Sequence, residues 1–402
     1  MKRQAQIVPL ASEVSFLSGG TPRMSESRFW GGDIPWVSSG EMTESRISFT
    51  ERRVTEEGAR NSTKIVPANT VLVVVRGMSL AKEFRISISE REVTFNQDIK
   101  ALKPSKKIDP WFLYYYLKSQ RHAIRDSATD ASHGTKKLET HVLEHWPLPL
   151  LDIPTQRAIA SILSAYDDLI ANNRRRIQLM EQAARLLYKE WFVHLRFPGH
   201  EHTKIHNGIP EGWEKKRIDE RFETVLGGTP ARNNPEFWGG EIPWINSGEV
   251  NNTRILKPTE RITEKGLCKS AATLMPAGTT VLAITGATLG QVSRLEIECS
   301  ANQSVVGVFD SADPKNEWLY LFFSHEIKKI INHATGGAQQ HINKEVVNAT
   351  EFLEPSKAVL EVFRQIVRPV FGQIKCLELQ KLSLIKARDL LLPRLMNGEV
   401  AV

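Results

Sequence analysis

Apolar and polar positions alternate between two kinds of pattern along the chain, and the same succession of patterns occurs twice. β-Branched residues between turn-forming residues predict strands. Apolar residues at helical spacing, preceded by Asp109 or Asn316 as possible N-caps, predict helices. The predicted strands are 70–75, 279–285 and 305–310, and the predicted helices are 109–128 and 316–334. Each half of the chain is therefore expected to contain a mixed α and β domain.

Each mixed pattern gives way to a long stretch in which apolar residues recur at alternating steps of three and four. This spacing is typical of a heptad seam on a long helix that packs against another helix. Asn173 and Lys381 interrupt the seams with polar residues, and Pro369 predicts a kink or a new segment. The predicted seams are Leu163, Tyr166, Ile170, Ile177, Met180, Ala184, Leu187 and Trp191, followed by Leu360, Phe363, Val367, Val370, Ile374, Leu377 and Leu384.

One sequence segment occurs twice in the chain. "FWGGDIPWVSSGE" at 29–41 and "FWGGEIPWINSGE" at 237–249 agree at ten of thirteen positions, and "GGTP" precedes both, at 19–22 and 227–230. The period is too long for a solenoid, so the repeat indicates a duplicated domain. We interpret its Trp, Pro and Gly residues as mainly structural, with base stacking by a Trp as the alternative.

The pattern predicts an α+β protein in which two homologous mixed α/β domains are separated by two long helices. We expect these helices to pack as an antiparallel coiled coil, because each one has an apolar stripe to bury. A Gly- and Pro-containing linker precedes the second domain. The predicted boundaries are 1–152 for the first domain, 153–195 for the central helical spacer, 196–212 for the linker, 213–354 for the second domain and 355–402 for the distal helical spacer.

Charge directs the search for a partner toward nucleic acid. The chain of 402 residues carries a formal charge of +7, which favours a polyanionic partner. No apolar run has the length of a bilayer span, which excludes a membrane protein. The start of the chain has no secretion signal, and its three cysteines lie far apart, so we expect a cytoplasmic protein.

Motifs for autonomous catalysis are missing from the sequence. It contains neither a GxGxxG turn nor a GxxxxGK[ST] phosphate loop, and "NNPEFW" (233–238) lacks the second Pro of an aminomethyltransferase loop. Asp313 with Glu326 and Lys328 matches a loose nuclease pattern, but Glu326 and Lys328 fall within a predicted helix. Three histidines of the linker, at 200, 202 and 206, could bind a metal. The absence of a Cys partner and the Pro and Gly residues around them favour an ordinary linker. We expect no catalytic residue, cofactor site or metal site in this chain.

Two homologous domains at a fixed separation suit the reading of two DNA half-sites. Base edges are read by Arg, Lys, Asn and Gln, whereas phosphates also accept Ser and Thr. The matched stretches 131–138 and 335–342 are the most informative, because a Gly-rich turn precedes Lys-Lys in one and Gln-Gln in the other. The predicted DNA contacts are Thr21, Arg23, Ser38, Arg46, Arg76, Lys82, Lys136 and Lys137 in the first domain, and Thr229, Arg232, Asn246, Arg254, Thr285, Gln291, Gln339, Gln340 and His341 in the second.

With these features the chain resembles the specificity (S) subunits of Type I restriction–modification systems, along nearly its whole length. The resemblance is carried by the repeated opening segment, by "IPTQRAIASILSAYDDLIANNRRRIQLMEQAARLLYKEWFV" (153–193), by "PEGWEKKRI" (210–218) and by "ARDLLLPRLMNGEV" (387–400). It implies two target recognition domains on double-stranded DNA and a non-catalytic subunit. It also implies two modification (M) subunits on the helices, and restriction (R) subunits reached through the assembly. S-adenosylmethionine, ATP and Mg would then bind to the partner subunits.

One departure from the family pattern concerns the second long helix, which lacks the Gln-Arg-Ala-Ile core of the first. The two M-binding sites are therefore expected to be less alike than the repeat suggests. Two other classes of function stay open on sequence alone. A DNA-modifying enzyme, nuclease or methyltransferase, acting alone would show activity without partners. A pure assembly scaffold would lack salt-dependent DNA binding.

Overall fold

The computed structural model describes residues 6–131, 134–313, 317–333, 341–400 and 402. Two compact units make up the chain. Unit 1 contains the residues up to Ile170 together with those from Ser383 onward, and unit 2 runs from Ala171 to Leu382. Both divisions fall within long helices, so each unit consists of a globular part and segments of two helices.

The globular part of unit 1 is built from short strands and helices. Its strands are β1 (Gln6–Pro9), β2 (Val14–Ser18), β3 (Trp30–Val37), β4 (Arg46–Ile47), β5 (Arg53–Val54), β6 (Val71–Val74), β7 (Arg76–Gly77), β8 (Ile86–Ser89), β9 (Thr94–Phe95), β10 (Ile99–Pro104), β11 (Thr129–Asp130), β12 (Lys136–Lys137) and β13 (Pro147–Leu150). Its helices are α1 (Glu56–Ser62), α2 (Met78–Lys82), α3 (Pro110–Ser119), α4 (Arg121–Asp126) and α5 (Thr140–Glu144), with 3₁₀ turns at Leu10–Ser12 and Ser27–Phe29. The first long helix, α6 (Ile153–Tyr188), follows directly.

Unit 2 repeats this inventory after a small hairpin. Its strands are β14 (Ile205–His206), β15 (Ile209–Pro210), β16 (Glu214–Arg217), β17 (Glu223–Leu226), β18 (Trp238–Ile245), β19 (Arg254–Ile255), β20 (Glu260–Ile262), β21 (Leu274–Met275), β22 (Thr280–Ala283), β23 (Val292–Leu295), β24 (Cys299–Ala301), β25 (Val305–Phe309) and β26 (Glu351–Glu354). Its helices are α7 (Ile218–Arg221), α8 (Glu264–Cys268), α9 (Glu317–Ile330) and α10 (Lys344–Asn348), with 3₁₀ turns at His200–His202, Pro235–Phe237, Ser247–Asn251, Gly286–Thr288 and Ile331–His333. The second long helix, α11, spans Lys357–Met396.

The five-stranded sheets of the two units have the same topology. A five-stranded sheet is ordered β2-β10-β6-β8-β4 in unit 1 and β17-β25-β22-β23-β19 in unit 2. Strands β3 and β18 each pair antiparallel with one neighbour and parallel with another, and each has an irregularity between its Trp and Ile. The duplication predicted from the sequence is therefore confirmed as a repeated mixed α and β fold.

The predicted strands occur where the apolar patterns placed them, whereas the predicted helix 109–128 is divided into α3 and α4 at Gln120. The central strands β6, β22 and β25 are buried along their whole length, as expected for β-branched runs without a polar alternation. Asp109 caps α3, since its carboxylate accepts hydrogen bonds from the backbone N–H groups of Trp111 and Phe112 at 2.9 and 3.1 Å. The predicted capping residue of the second helix, Asn316, lies outside the described residues.

Segments of the two long helices run antiparallel within each unit. In unit 2, Asn173 lies 3.4 Å from Gln380, and the rings of Trp191 and Phe363 lie 5.6 Å apart near the opposite end of the pairing. In unit 1, Leu163 of α6 shares a buried core with Leu392 of α11. Most predicted seam positions are buried or half-buried, and Asn173 is the polar residue between them.

Two local features depart from the sequence interpretation. Helix α11 continues through Pro369, so no new segment begins there. The predicted linker contains a hairpin, β14–β15, whose turn residues Asn207 and Gly208 both have positive φ angles, 52° and 78°. Asn-Gly is the preferred pair for such a two-residue turn, so the segment predicted as a linker contains a local hairpin.

Candidate nucleic-acid interface

The repeated opening segment forms the same aromatic scaffold in both units. Trp30 and Trp36 meet edge to face at 5.3 Å, and Trp238 and Trp244 do so at 5.1 Å. The indole N–H of the second Trp in each pair donates to a carbonyl of the GGTP turn, Gly20 at 3.0 Å and Gly228 at 3.1 Å. These contacts bind the turn to the strand, so the segment has the structural role that we expected.

The glycines of this segment allow backbones to approach each other closely. A Cβ atom on Gly19 would lie 2.2 Å from the carbonyl oxygen of Phe95, and one on Gly227 would lie 2.2 Å from that of Asn302. No side chain fits at such a distance, because the obstacle is rigid backbone. The sequence is repeated because each unit builds the same close junction.

Three predicted contacts of unit 1 lie on one small sheet. Strand β12 pairs antiparallel with both β11 and β7, so that Lys137 stands opposite Arg76 and Lys136 opposite Gly77. Lys82 ends α2, the helix that follows β7 directly and lies beside β12. We call the strand pair β7–β12 the ribbon of unit 1. The structure thus brings Arg76, Lys136 and Lys137 together, with Lys82 nearby.

The cations of the ribbon differ in how they are paired. Lys136 lies 3.4 Å from Asp130, and Lys137 lies 2.8 Å from Glu139, whose pKa this hydrogen bond and charge hold below the ordinary value. The Arg76 side chain is exposed and makes no ion pair or hydrogen bond with another described residue. Arg76 is therefore the ribbon cation with the most freedom to bind an external anion.

Unit 2 has a counterpart of the ribbon with different side chains. Thr285 forms an isolated antiparallel bridge with His341. The N–H of Ile342 donates to the carbonyl of Ile284 at 3.0 Å, just as Leu138 donates to Val75 at 2.8 Å in unit 1. We call the Thr285–His341 bridge the ribbon of unit 2. Gln291 is exposed nearby in the chain, and its carbonyl accepts a hydrogen bond from the backbone N–H of Ala283 in β22.

This register corrects one detail of the sequence comparison. Thr285 occupies the place of Arg76, and His341 occupies the place of Lys137, because the flanking hydrogen bonds coincide. The predicted contrast between Lys-Lys and Gln-Gln is therefore shifted by one residue, because Lys137 corresponds to His341 and not to a glutamine. Gln339 and Gln340 lie outside the described residues, and their proposed contacts stay predictions.

Four smaller candidates lie near the opening segment and are engaged within their own unit. The Thr21 hydroxyl donates to Gln97 at 2.6 Å, and the Thr229 hydroxyl donates to Gln303. The Ser38 hydroxyl donates to Glu41 at 2.8 Å. The Asn246 side chain accepts from the Gly248 N–H at 2.8 Å. These groups hold turns together, and Arg23, which is exposed, is a freer contact candidate in this region.

Arg232 is largely satisfied inside unit 2. Its guanidinium lies 3.8 Å from the ring centroid of Trp238 and pairs with Glu260. A cation stacked on an indole and paired with a carboxylate is a structural feature of the aromatic scaffold. The position also has no Arg counterpart, because Trp30 donates to the carbonyl of Arg23 and Trp238 to that of Ala231. Arg23 and Arg232 are therefore not equivalent.

Arg46 and Arg254 are equivalent, and both contact helix α6. Arg46 pairs with Asp168 at 2.5 Å, and its side chain is 29% exposed. Arg254 pairs with Glu181, and its side chain is only 1% exposed. The prediction that Arg254 contacts DNA is wrong, because a buried and doubly paired guanidinium presents no surface to a base or phosphate. Arg46 is also engaged in an ion pair within its own unit, although it is less buried.

Sequence reasoning missed exposed residues beside the ribbon of unit 1. Met78, at the start of α2, is 72% exposed, and Thr129 and Asp130 form the third strand of the small sheet. A long-range strand pairing places Thr129 and Asp130 there, and no local pattern signals it.

The acidic residues of the nuclease-like pattern are occupied by different partners. Asp313 pairs with Arg368 at 2.9 Å, whereas Glu326 lies in α9 and pairs with Lys329. Across the described part of the chain, no three His, Cys, Asp or Glu residues form a group that could hold a metal ion. Within the same residues, no helix combines the length and apolar character that a membrane span requires.

Comparison with known proteins assigns the family. Residues 12–182 and 210–362 match the model of the Type I restriction modification DNA specificity domain. These stretches make up most of the chain, which therefore belongs to this family, with one specificity domain in each half.

Individual relatives agree with the family match. The chain is 26% identical to the Type I restriction enzyme MjaIX specificity subunit of Methanocaldococcus jannaschii over 398 residues, which cover 96% of this chain and 90% of the relative. It is 31% identical to the EcoR124I/EcoR124II specificity subunit of Escherichia coli over 153 residues, 38% of each chain. The crystal structure of a Type I restriction–modification S subunit from M. genitalium has the same fold, with a TM-score of 0.62, 15% identity, and coverage of 98% of this chain and 97% of that one.

Proposed function

We propose that this chain is the DNA-recognition subunit of a Type I restriction–modification complex and that it reads a bipartite, asymmetric site. The observation that carries the proposal is the match of both halves of the chain to one family of DNA specificity domains. Each unit would read one half-site, and the base pairs between the half-sites would go unread.

The repeated scaffold and the divergent ribbons support an asymmetric site. Both units use the same Trp pair and the same Gly junction to hold the fold. At the equivalent ribbon positions, however, unit 1 has Arg76 and Lys137, while unit 2 has Thr285 and His341. Different polar groups on one backbone would select different bases, because each base pair presents its own donors and acceptors in the major groove.

Catalysis would reside on partner subunits. M subunits would supply S-adenosylmethionine and methylate adenine, and R subunits, with ATP and Mg, would join through the assembly. The relatives support this division, because they are described as specificity subunits of restriction enzymes. Under this proposal the chain contributes recognition and positioning, and has no reaction chemistry of its own.

The long helices offer surfaces on which M subunits would dock. Leu179 and Leu186 of α6 are exposed and lie seven residues apart, so they share one face of the helix. Val362 and Ile366 of α11 are also exposed and lie one turn apart. Exposed apolar side chains at helical spacing are typical of surfaces that pack against a partner. Their different sequences on the two helices support two M sites that are not identical.

Methylation mapping in a host that expresses this chain with its neighbouring M subunit tests the proposal. We expect adenine methylation at a split motif with a constant gap, and its loss when this chain is deleted. Restoration of the same motif by a plasmid-borne copy is the control. Methylation that survives the deletion would contradict the proposal. Methylation or cleavage by the purified chain alone would favour the DNA-modifying enzyme instead.

A further inference from the structure

The ribbons of the two units differ in charge at positions that the backbone makes equivalent. In unit 1, Arg76 stands directly opposite Lys137 on antiparallel strands. In unit 2, Thr285 faces His341 at the same place. This comparison rests on the proposed function, and it concerns which bases each half-site presents.

A pair of like charges directly opposite each other on neighbouring strands destabilises a sheet. Lys137 is partly compensated by Glu139 at 2.8 Å, but Arg76 has no partner among the described residues. An arrangement that costs stability in the free protein is favourable when an anionic or acceptor-rich ligand lies against it. The DNA major groove is such a ligand, because it admits a two-stranded ribbon and carries acceptors on its base edges.

Guanine is the base that best satisfies an exposed arginine. Its O6 and N7 atoms are both acceptors, and a guanidinium donates to them as a planar fork. We propose that Arg76 reads a guanine in the half-site of unit 1, with Lys137 beside it. Unit 2 reads its half-site without a fixed positive charge at this position. The two half-sites are therefore recognised with different chemistry and different sensitivity to salt.

Binding by the complete complex with its M subunits tests the proposal. Duplexes carry the methylation-mapped site, with each guanine of the first half-site replaced in turn by 7-deazaguanine, which lacks the N7 acceptor. We expect one replacement to weaken binding of the unaltered complex toward the lower end of the range of about 5- to 150-fold for a bidentate base contact, because 7-deazaguanine keeps the O6 acceptor. The Arg76→Ala complex should bind equally weakly to both duplexes, because the contact is already lost.

Two further variants separate a base contact from charge and from folding. Arg76→Lys keeps the charge without the fork, so it should retain most of the binding and weaken the preference for guanine, since an ammonium can still donate to O6 or N7. Lys106→Ala removes an exposed lysine elsewhere in unit 1 and should leave specificity unchanged. The double variant Arg76→Thr with Lys137→His installs the side chains of unit 2, and should relax the first half-site while leaving the second intact.

Some outcomes would overturn the proposal. Equal loss of binding on all sequences after Arg76→Ala would identify a phosphate contact, and unchanged specificity would exclude Arg76 from base recognition. An additive loss from Arg76→Ala and every 7-deazaguanine duplex would also overturn it. These results leave the proposed function standing if methylation at the split motif still depends on the chain.

Discussion

Arg254 of unit 2 donates to the carboxylate of Glu181 on α6 at 2.9 Å through its Nε atom, and the pair is almost completely buried. Glu296 also lies 3.4 Å from the guanidinium, and the ring centroid of Phe371 on α11 lies 4.1 Å from it. The side chain thus joins the five-stranded sheet of unit 2 to both of its long-helix segments. Its pKa is raised because these carboxylates outweigh the effect of burial.

The equivalent contact in unit 1 also joins an arginine to a carboxylate of α6, but it is more exposed to solvent. Arg46 begins β4 as Arg254 begins β19. Arg46 pairs with Asp168 on α6 and lies against the ring of Trp111. Asp168 is 57% exposed. One arginine in each unit therefore ties the globular part to α6, and the buried Arg254 positions that part rather than contacting DNA.

We predict that Glu181→Gln destabilises unit 2 by about 3 kcal/mol, because it leaves a buried guanidinium short of one negative charge. Asp168→Asn should cost about 1 kcal/mol or less, since solvent screens the exposed pair. Urea unfolding of the full chain, followed by tryptophan fluorescence, measures both. Equal losses for the two variants would contradict the assignment of a buried clamp in unit 2 and an exposed one in unit 1.

Asp167 predicts a pH dependence for the anchoring of unit 1. Burial acts to raise the pKa of this carboxyl group. The charges of Lys118 and Arg388 and the hydrogen bonds to the carboxylate lower the pKa by more than burial raises it, so the net shift is downward. Tyr115 also donates to Asp167 at 2.9 Å. The ionised group therefore stabilises the fold at pH values above its unfolded pKa of about 4, and this contribution disappears as the pH falls through the lower folded value.

Asp167→Asn should accordingly lower the free energy of unfolding by about 3 kcal/mol at pH 7, because Lys118 and Arg388, both mostly shielded from solvent, lose the buried carboxylate between them. The difference from the unaltered chain should begin to shrink below about pH 4, where the carboxyl group of the unfolded chain becomes protonated, and should disappear as the pH falls through the lower folded pKa. Unfolding of both proteins over a pH series measures this. A difference that stays constant down to pH 3 would mean that packing, not charge, explains the loss.

The fold was predictable from sequence where the signal is local or repeated. The buried strands β6 and β22 are short β-branched runs, and the cap at Asp109 is a local pattern. The duplication follows from direct comparison of the two halves. The course of α11 through Pro369 was not predicted, because packing of its flanking residues Val367 and Phe371 in the core of unit 2 outweighs one lost hydrogen bond.

The candidate site was less predictable, because residue type does not report burial. Arg46 and Arg254 have the same sequence context and looked like surface contacts, yet a carboxylate on α6, 73 residues or more away in the chain, engages each of them. The ribbon of unit 1 was partly predictable, since the sequence placed Lys136 and Lys137 together as expected DNA contacts. Their pairing with Arg76 depends on a strand contact that no local pattern encodes.

The Gly junction gives a stability prediction with a matched control. Gly19→Ala should destabilise unit 1 by several kcal/mol, because its Cβ would lie 2.2 Å from a backbone oxygen and the β9 backbone would have to move. Gly40→Ala should be almost neutral, since its Cβ would lie 3.8 Å from the nearest atom, Ser38 Oγ. Thermal unfolding midpoints of the full chain measure both. A neutral Gly19→Ala variant would refute the role of the glycine in close packing.

If the paired helices act as a spacer, one heptad removed from each should shorten the gap between the half-sites. Asn173 lies 3.4 Å from Gln380, which identifies 171–177 of α6 and 376–382 of α11 as facing segments. Seven helical residues span about 10 Å, which corresponds to about three base pairs. A seven-residue deletion also preserves the apolar phase of each helix.

Methylation mapping of the double deletion should therefore reveal both original half-sites with a gap about three base pairs shorter. Deletion from α6 alone is the control, because it shifts the remaining seam residues of α6 out of register with α11 and should prevent a stable complex. An unchanged gap in the double deletion would show that the helices do not set the spacing. Altered half-sites with the original gap would place base recognition on the helices and not on the ribbons.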